Sequence, residues 1–198
     1  MKILIMLHTI LICFVALSQL TACQHISNEY KTLTLKEGIA KLSFEYPHEW
    51  RISLIDTRTD YTEIRLFAPT LKKYNTTILA SSMDILVYKP DDIETNIDDL
   101  LTNTVAKWRD ETNFQLLSCS DLQIDGHPAV QKTCSHDLKL VDSTTHQFTE
   151  NTETIITREI YFFCQDNIWN ITISLNADAS EENAKGISHI LETFKVID

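Results

Sequence analysis

The alternation of apolar and polar residues along the chain predicts mostly strands. The clearest case is residues 40–46, where Ala, Leu, Phe and Tyr alternate with polar residues until Pro47 ends the run. Further strands are predicted on the same grounds at 50–54, 61–68, 77–88, 114–124, 129–138, 155–164 and 169–176. The segment 155–164 is apolar on both faces, which indicates a central strand, whereas 169–176 should bury one face only.

Two stretches show helical spacing instead. Asp91 and Glu94 form the pattern of a capping box before a helix with one apolar stripe, and this helix is predicted to run to about Arg109. Ser180 can cap a second helix, whose stripe ends at Phe194. Residues 125–128 are predicted to turn a hairpin, and 140–153 to form a polar loop. Strands joined by short turns pair antiparallel, so the sequence predicts an α+β fold with helices packed on a mainly antiparallel sheet.

The first 22 residues have the composition of a signal peptide. Lys2 supplies a positive charge, and the apolar run at 3–17 is shorter than the roughly 20 residues of a transmembrane helix. Leu20-Thr21-Ala22-Cys23 resembles a bacterial lipobox, although an ordinary signal peptide with Cys23 merely nearby is the alternative. We therefore predict a lipoprotein signal peptide at 1–22, a lipidated Cys23 with a tether over 23–31, and one domain over 32–198.

This processing predicts a membrane anchor on the periplasmic side of a bacterial cell envelope. One acyl chain binds a bilayer only marginally, but lipoproteins of this kind carry two or three, so the anchoring would be permanent. Gln24 stands directly after Cys23, where enterobacterial sorting uses Asp for inner-membrane retention. The outer membrane is therefore slightly favoured over the inner one.

Composition excludes several classes of function. The formal net charge of −11 disfavours binding to nucleic acid. With 3 glycines the chain has no Gly-rich phosphate loop, and it lacks the HExxH, GxSxG and EF-hand patterns. The acidic residues at 91–99 suit a solvated helix start rather than a calcium site. We therefore predict no enzymatic activity, no cofactor and no metal.

The cysteines of the predicted domain suggest one disulfide bond. A four-residue turn at 125–128 would place Cys119 opposite Cys134, near disulfide distance. Such a bond would contribute about 3 kcal/mol in the chain-entropy model. The alternative is a zinc site formed by Cys119, Cys134 and His136, which lacks an evident fourth ligand. Cys164 is predicted to be a buried thiol that packs as a small hydrophobic residue.

Three motifs together resemble those of the Mog1/PsbP-like superfamily, which includes the bacterial DcrB-like lipoproteins. They are Phe44-x-Tyr46-Pro47-x-x-Trp50, the hairpin sequence from Leu122 to Ala129, and a terminal amphipathic helix closing on Phe194-Lys195-Val196-Ile197. The resemblance implies an α/β/α sandwich around an antiparallel sheet. It also implies an assembly factor, chaperone or binding protein without catalysis, and it assigns no site residues. Tyr46 and Trp50 have a simpler interpretation as packing residues.

The sequence therefore predicts a membrane-anchored, non-catalytic binding or assembly factor with a protein partner. The alternative is an immunity or inhibitor lipoprotein, because an acidic chain suits capture of a basic secreted effector. A third possibility, a hydrolase, requires titratable groups that converge in the folded chain.

Overall fold

The computed structural model describes residues 29–69, 72–73, 76–77, 81–90, 96–108, 111–142, 145, 147–177 and 181–197. Its elements, in chain order, are β1 (Tyr30–Leu35), β2 (Leu42–Pro47), β3 (Arg51–Thr57), β4 (Tyr61–Phe67), β5 (Lys72–Lys73), β6 (Thr76–Thr77), β7 (Ser82–Tyr88), α1 (Ile97–Trp108), β8 (Thr112–Ile124), β9 (His127–Asp142), β10 (Phe148–Cys164), β11 (Asn167–Asn176), α2 (Glu181–Thr193) and β12 (Lys195–Val196). The predicted signal peptide, Cys23, the capping box at 91–94 and the cap at Ser180 lie outside the described residues. Neither described helix is long and apolar enough to span a membrane.

The larger sheet contains most of the described strands. Its order is β3-β4-β7-β11-β10-β9-β6-β5, and β8 pairs with β9 on the same side as β6. All of these pairs are antiparallel. β10 lies between β9 and β11, which confirms the predicted central strand. Its neighbour β11 buries Asn170 and Asn176 as well as its apolar residues, so the prediction that this strand buries one face only is wrong.

The smaller sheet joins the two ends of the described chain. β2 lies between β1 and β12, and Lys195 of β12 pairs with Ser43 of β2. Together with α2, this sheet covers the apolar face of the larger sheet. At the centre of the core, the Phe194 ring stacks on Phe44 at 6.0 Å and meets Phe162 and Trp169 edge-on. All four rings are almost fully buried, so this interface is the main hydrophobic core.

The opposite face of the larger sheet carries a buried polar layer beside α1. Ile97 of α1 belongs to a small apolar cluster built around Tyr161 and Ile168. On the same face of β10, the side chain of Glu159 is buried. Its carboxylate accepts hydrogen bonds from Asn170 Nδ2 at 3.0 Å and from Thr172 Oγ1 at 2.8 Å. These bonds offset the cost of removing the carboxylate from water, and they tie β10 to β11.

The predicted class, α+β with an α/β/α sandwich, is wrong. Most of the described residues lie in strands, which form two antiparallel sheets. The layer over the apolar face is a sheet with one helix beside it. Two features explain why the sequence pattern did not predict this arrangement. β12 has only two residues and pairs with a strand from the other end of the described chain, and β10 begins at Phe148, inside the predicted loop 140–153.

Candidate functional site

The outer edge of β8 is the most distinctive surface of the described chain. β8 pairs along one side with β9, and no described strand pairs with its other side. Its residues from 115 to 121 are exposed whichever face of the sheet they occupy. An unpaired strand of this kind presents backbone N–H and C=O groups that another extended segment can bind.

The composition of β8 makes this edge unusual. Residues 112–120 contain no charged residue and no proline, the two residue types that proteins most often use to block edge pairing. Leu116 and Leu117 are about half exposed, at 52% and 50%. The pairing with β9 shifts register between Leu116 and Ser118, which is the one protective irregularity near the middle of the strand. Exposed Glu111 and Asp121 stand at either end of the uncharged run. This edge segment, residues 112–120, is our candidate binding site.

Side-chain contacts hold the start of β8 in place. Asn113 Nδ2 donates to Asp137 Oδ2 at 2.6 Å, and Thr154 Oγ1 donates to Asp137 Oδ1 at 2.8 Å. The bond from Asn113 and then that from Thr154 lower the pKa of Asp137 below its ordinary value. One carboxylate therefore links β8, β9 and β10.

The end of β8 is held by the hairpin turn at Asp125-Gly126. Both residues have positive φ, at 49° and 80°, which is the backbone that an Asp-Gly hairpin turn adopts. The Asp125 carboxylate accepts hydrogen bonds from Lys195 Nζ at 2.7 Å and from the Val196 amide at 2.9 Å. Burial alone would raise the pKa of Asp125, but these bonds outweigh it and leave the pKa lowered. The edge segment is thus fixed at both ends before any partner binds.

The predicted Cys119–Cys134 disulfide is not present, because the turn register on which it depended is wrong. The turn has two residues rather than four, since Ile124 pairs with His127. Cys119 therefore lies opposite Lys132, while the register shift places Leu116 opposite Cys134. Cys119 is exposed and Cys134 is buried, and neither forms a disulfide.

The rival zinc site is not assembled either. Cys134 and His136 share a buried face of β9, as their spacing predicted. Burial and then the nearby Glu159 charge raise the pKa of Cys134, and burial lowers the pKa of His136. Because its pKa is raised, the Cys134 thiol is neutral at pH 7. Within the described residues, no group of three His, Cys, Asp or Glu side chains could hold a metal ion.

A cysteine–histidine contact forms where the sequence did not predict one. Cys164 Sγ lies 3.3 Å from His127 Nε2. The β9–β10 register pairs Phe162 with Ala129, so continuing it by two residues brings Cys164 opposite His127. Because this pairing joins segments distant in sequence, only the register of the folded sheet could have revealed the contact. The sequence also gave no sign that Glu159 is buried and hydrogen-bonded, since its partners Asn170 and Thr172 lie on β11.

The packing interpretation of the aromatic motif is confirmed for Trp50, which is 3% exposed within the core. Tyr46 is partly buried and packs against that core. Both residues therefore pack in or against the core. The acidic residues at 91–94 lie outside the described residues.

Comparison with known proteins places the chain by fold. No family model and no curated protein matches it. Among solved structures, LpqN of Mycobacterium tuberculosis has a TM-score of 0.50 at 12% identity, covering 86% of this chain and 93% of that one. The Ran-binding protein Mog1p of Saccharomyces cerevisiae also has a TM-score of 0.50, at 10% identity, covering 87% and 97%. The cyanobacterial PsbP of Synechocystis has a TM-score of 0.48 at 9% identity, covering 87% and 96%. The chain therefore resembles LpqN and Mog1p in fold, and this agrees with the Mog1-like resemblance of the sequence motifs.

Proposed function

We propose that this protein is a non-catalytic lipoprotein of the bacterial cell envelope that binds an extended segment of a protein partner along β8. The observation that carries the proposal is the uncharged outer edge of the segment 112–120, with which no described strand pairs. The lipobox-like sequence at 20–23 supports the anchor and the compartment. Proteins of this fold include LpqN, which is involved in cell envelope biogenesis, and the Ran-binding protein Mog1p.

Strand addition suits the geometry of this edge. A partner strand would satisfy the free backbone groups of β8, and each such hydrogen bond contributes about 1 kcal/mol net. Leu116 and Leu117 are half exposed and lie at the register shift of this edge. A bound segment would cover both leucines with its own apolar side chains. Since β8 is already held at both ends, little conformational entropy of the site would be lost on binding.

The charges around the edge define the chemistry of the partner segment. Glu111 and Asp121 bracket the uncharged run, and the whole chain carries a net charge of −11. The complementary segment is apolar or uncharged in its middle and carries Lys or Arg near its ends.

Site-specific cross-linking in intact envelopes tests the proposal. A photoreactive amino acid at exposed Gln115 should join the protein to one partner, and mass spectrometry should map the junction to an extended, basic-flanked segment. Leu117→Lys, which places a charge on the edge, should abolish the product. The matched control is Ile55→Lys on β3, the opposite edge strand, where Ile55 is 44% exposed.

The outcomes separate the candidates. Loss of the product with Leu117→Lys, and its retention with Ile55→Lys, supports binding along β8. A product that survives Leu117→Lys overturns it, and so does a product made only with a second copy of this chain. A basic secreted effector as the partner would assign the same edge to an immunity protein rather than an assembly factor.

The anchor has its own test. Mass spectrometry of the mature chain should find N-terminal Cys23 with acyl groups, and Cys23→Ser should release the protein from membranes. A mature N-terminus elsewhere, or an unmodified Cys23, would refute the lipoprotein assignment.

A further inference from the structure

The contact between Cys164 and His127 has the geometry of an activated thiol, and it is independent of the β8 edge. Cys164 ends β10 and His127 begins β9, so the sheet register itself holds the two side chains together. The 3.3 Å separation of Cys164 Sγ and His127 Nε2 is hydrogen-bonding distance for sulfur. A base at this distance can accept the proton of the thiol.

The surroundings of the His127 ring position it beside the sulfur. The His127 ring stacks on Phe162, with centroids 6.1 Å apart and an interplanar angle of 18°. This contact limits rotation of the ring away from the sulfur. The negative carboxylate of Asp125 lies close enough to interact electrostatically with His127.

The other two described thiols lack this arrangement. Cys119 is exposed on β8 and has no hydrogen-bonding partner among the described residues, while Cys134 is buried beside the negatively charged Glu159. Cys164 is 8% exposed, so bulky reagents are excluded and the reagent to be considered is a small one. Exposure alone would make Cys119 the more reactive thiol. The histidine contact predicts the reverse order toward a small oxidant.

We propose that Cys164 is a peroxide-reactive thiol and that His127 is its activating base. His127 Nε2 takes the proton from Cys164 Sγ, and the thiolate attacks one oxygen of a small hydroperoxide. The O–O bond breaks as the S–O bond forms, and the departing oxygen takes the proton back from His127. The sulfur is oxidised by two electrons to a sulfenic acid, and the peroxide is reduced to water or an alcohol.

The test uses the full chain and an internal control. The reduced protein is treated with hydrogen peroxide, which is then removed, and the chain is unfolded in dimedone so that every sulfenic acid can be trapped. Peptide mass spectrometry counts the oxidised forms of Cys164 and Cys119, with Cys164→Ser confirming the assignment. We expect Cys164 to be oxidised faster than Cys119.

The variant His127→Gln separates activation from mere accessibility, because it keeps a polar side chain and removes the base. We expect oxidation of Cys164 to slow about tenfold or more, while oxidation of Cys119 is unchanged. Urea unfolding of the same variant checks that it is folded. Faster oxidation of Cys119 than of Cys164 in the wild type would overturn the proposal. An unchanged Cys164 rate in folded His127→Gln would overturn it as well.

Discussion

Asp125 performs two separable tasks, and a series of substitutions distinguishes them. Its carboxylate is 19% exposed and binds Lys195 and the Val196 amide, while its backbone has a φ of 49°. Losing the hydrogen bonds to this charged group should cost about 2 kcal/mol. The ion pair itself contributes little, because the Lys195 side chain is 62% exposed. Placing alanine at positive φ should add about 1 kcal/mol, and glycine should add none.

The expected loss in free energy of unfolding is therefore under about 1 kcal/mol for Asp125→Asn, about 2 for Asp125→Gly and about 3 for Asp125→Ala. Urea unfolding followed by fluorescence of the buried tryptophans measures all three. Because the folded pKa of Asp125 is lowered, its stabilisation is present above the ordinary value of 3.8 and is lost as pH falls through the folded value. The difference between wild type and Asp125→Asn should therefore shrink in acid. An alanine variant as stable as the glycine variant would refute the backbone part of the reasoning.

Three further predictions use the same measurement. Phe194→Ala should lower the free energy of unfolding by about 3–5 kcal/mol. Phe148→Ala, at a side chain that is 75% exposed, should change it by less than about 0.5 kcal/mol. Gly186→Ala should lower the free energy of unfolding, because the new Cβ would lie 2.8 Å from Cγ of Pro47. Adding Pro47→Ala to this variant removes the clashing ring and should restore much of the lost free energy of unfolding. Asp137→Asn should reduce the stability that the wild type loses between pH 7 and pH 3, because the lowered pKa of Asp137 makes its contribution disappear on acidification. An unchanged acid response would show that its bonds to β8 and β10 do not contribute.

Local periodicity predicted the elements better than their assembly. The alternation at 40–46 and the helical stripe ending at Phe194 correspond to β2 and α2, because each buries one face on the core. The pairing of β2 with β12 has no local signal, since the alternation of residues in a strand does not indicate which strand it pairs with. The fold class was wrong for that reason.

For the candidate site, the sequence shows which residues are present but not where the fold places them. The uncharged run at 112–120 is visible in the sequence, but its position at the edge of the described sheet depends on strand order. One misjudged turn length at Asp125-Gly126 moved Cys119 two positions from its predicted partner, which shows how strongly register governs disulfide prediction. The contact of Cys164 with His127 depends on the β9–β10 register, which no turn near those residues determines.

The closing of the small sheet by β12 constrains the order in which the chain can fold. Synthesis delivers a polypeptide from its N-terminus, so β1 and β2 emerge long before Lys195 and Val196 can pair beside them. Until then α2 and Phe194 are missing from the core, and the rings of Phe44 and Trp169 lack part of their cover. A long loop must close late, at an entropic cost that grows with its length. A chain truncated before α2 should therefore be aggregation-prone.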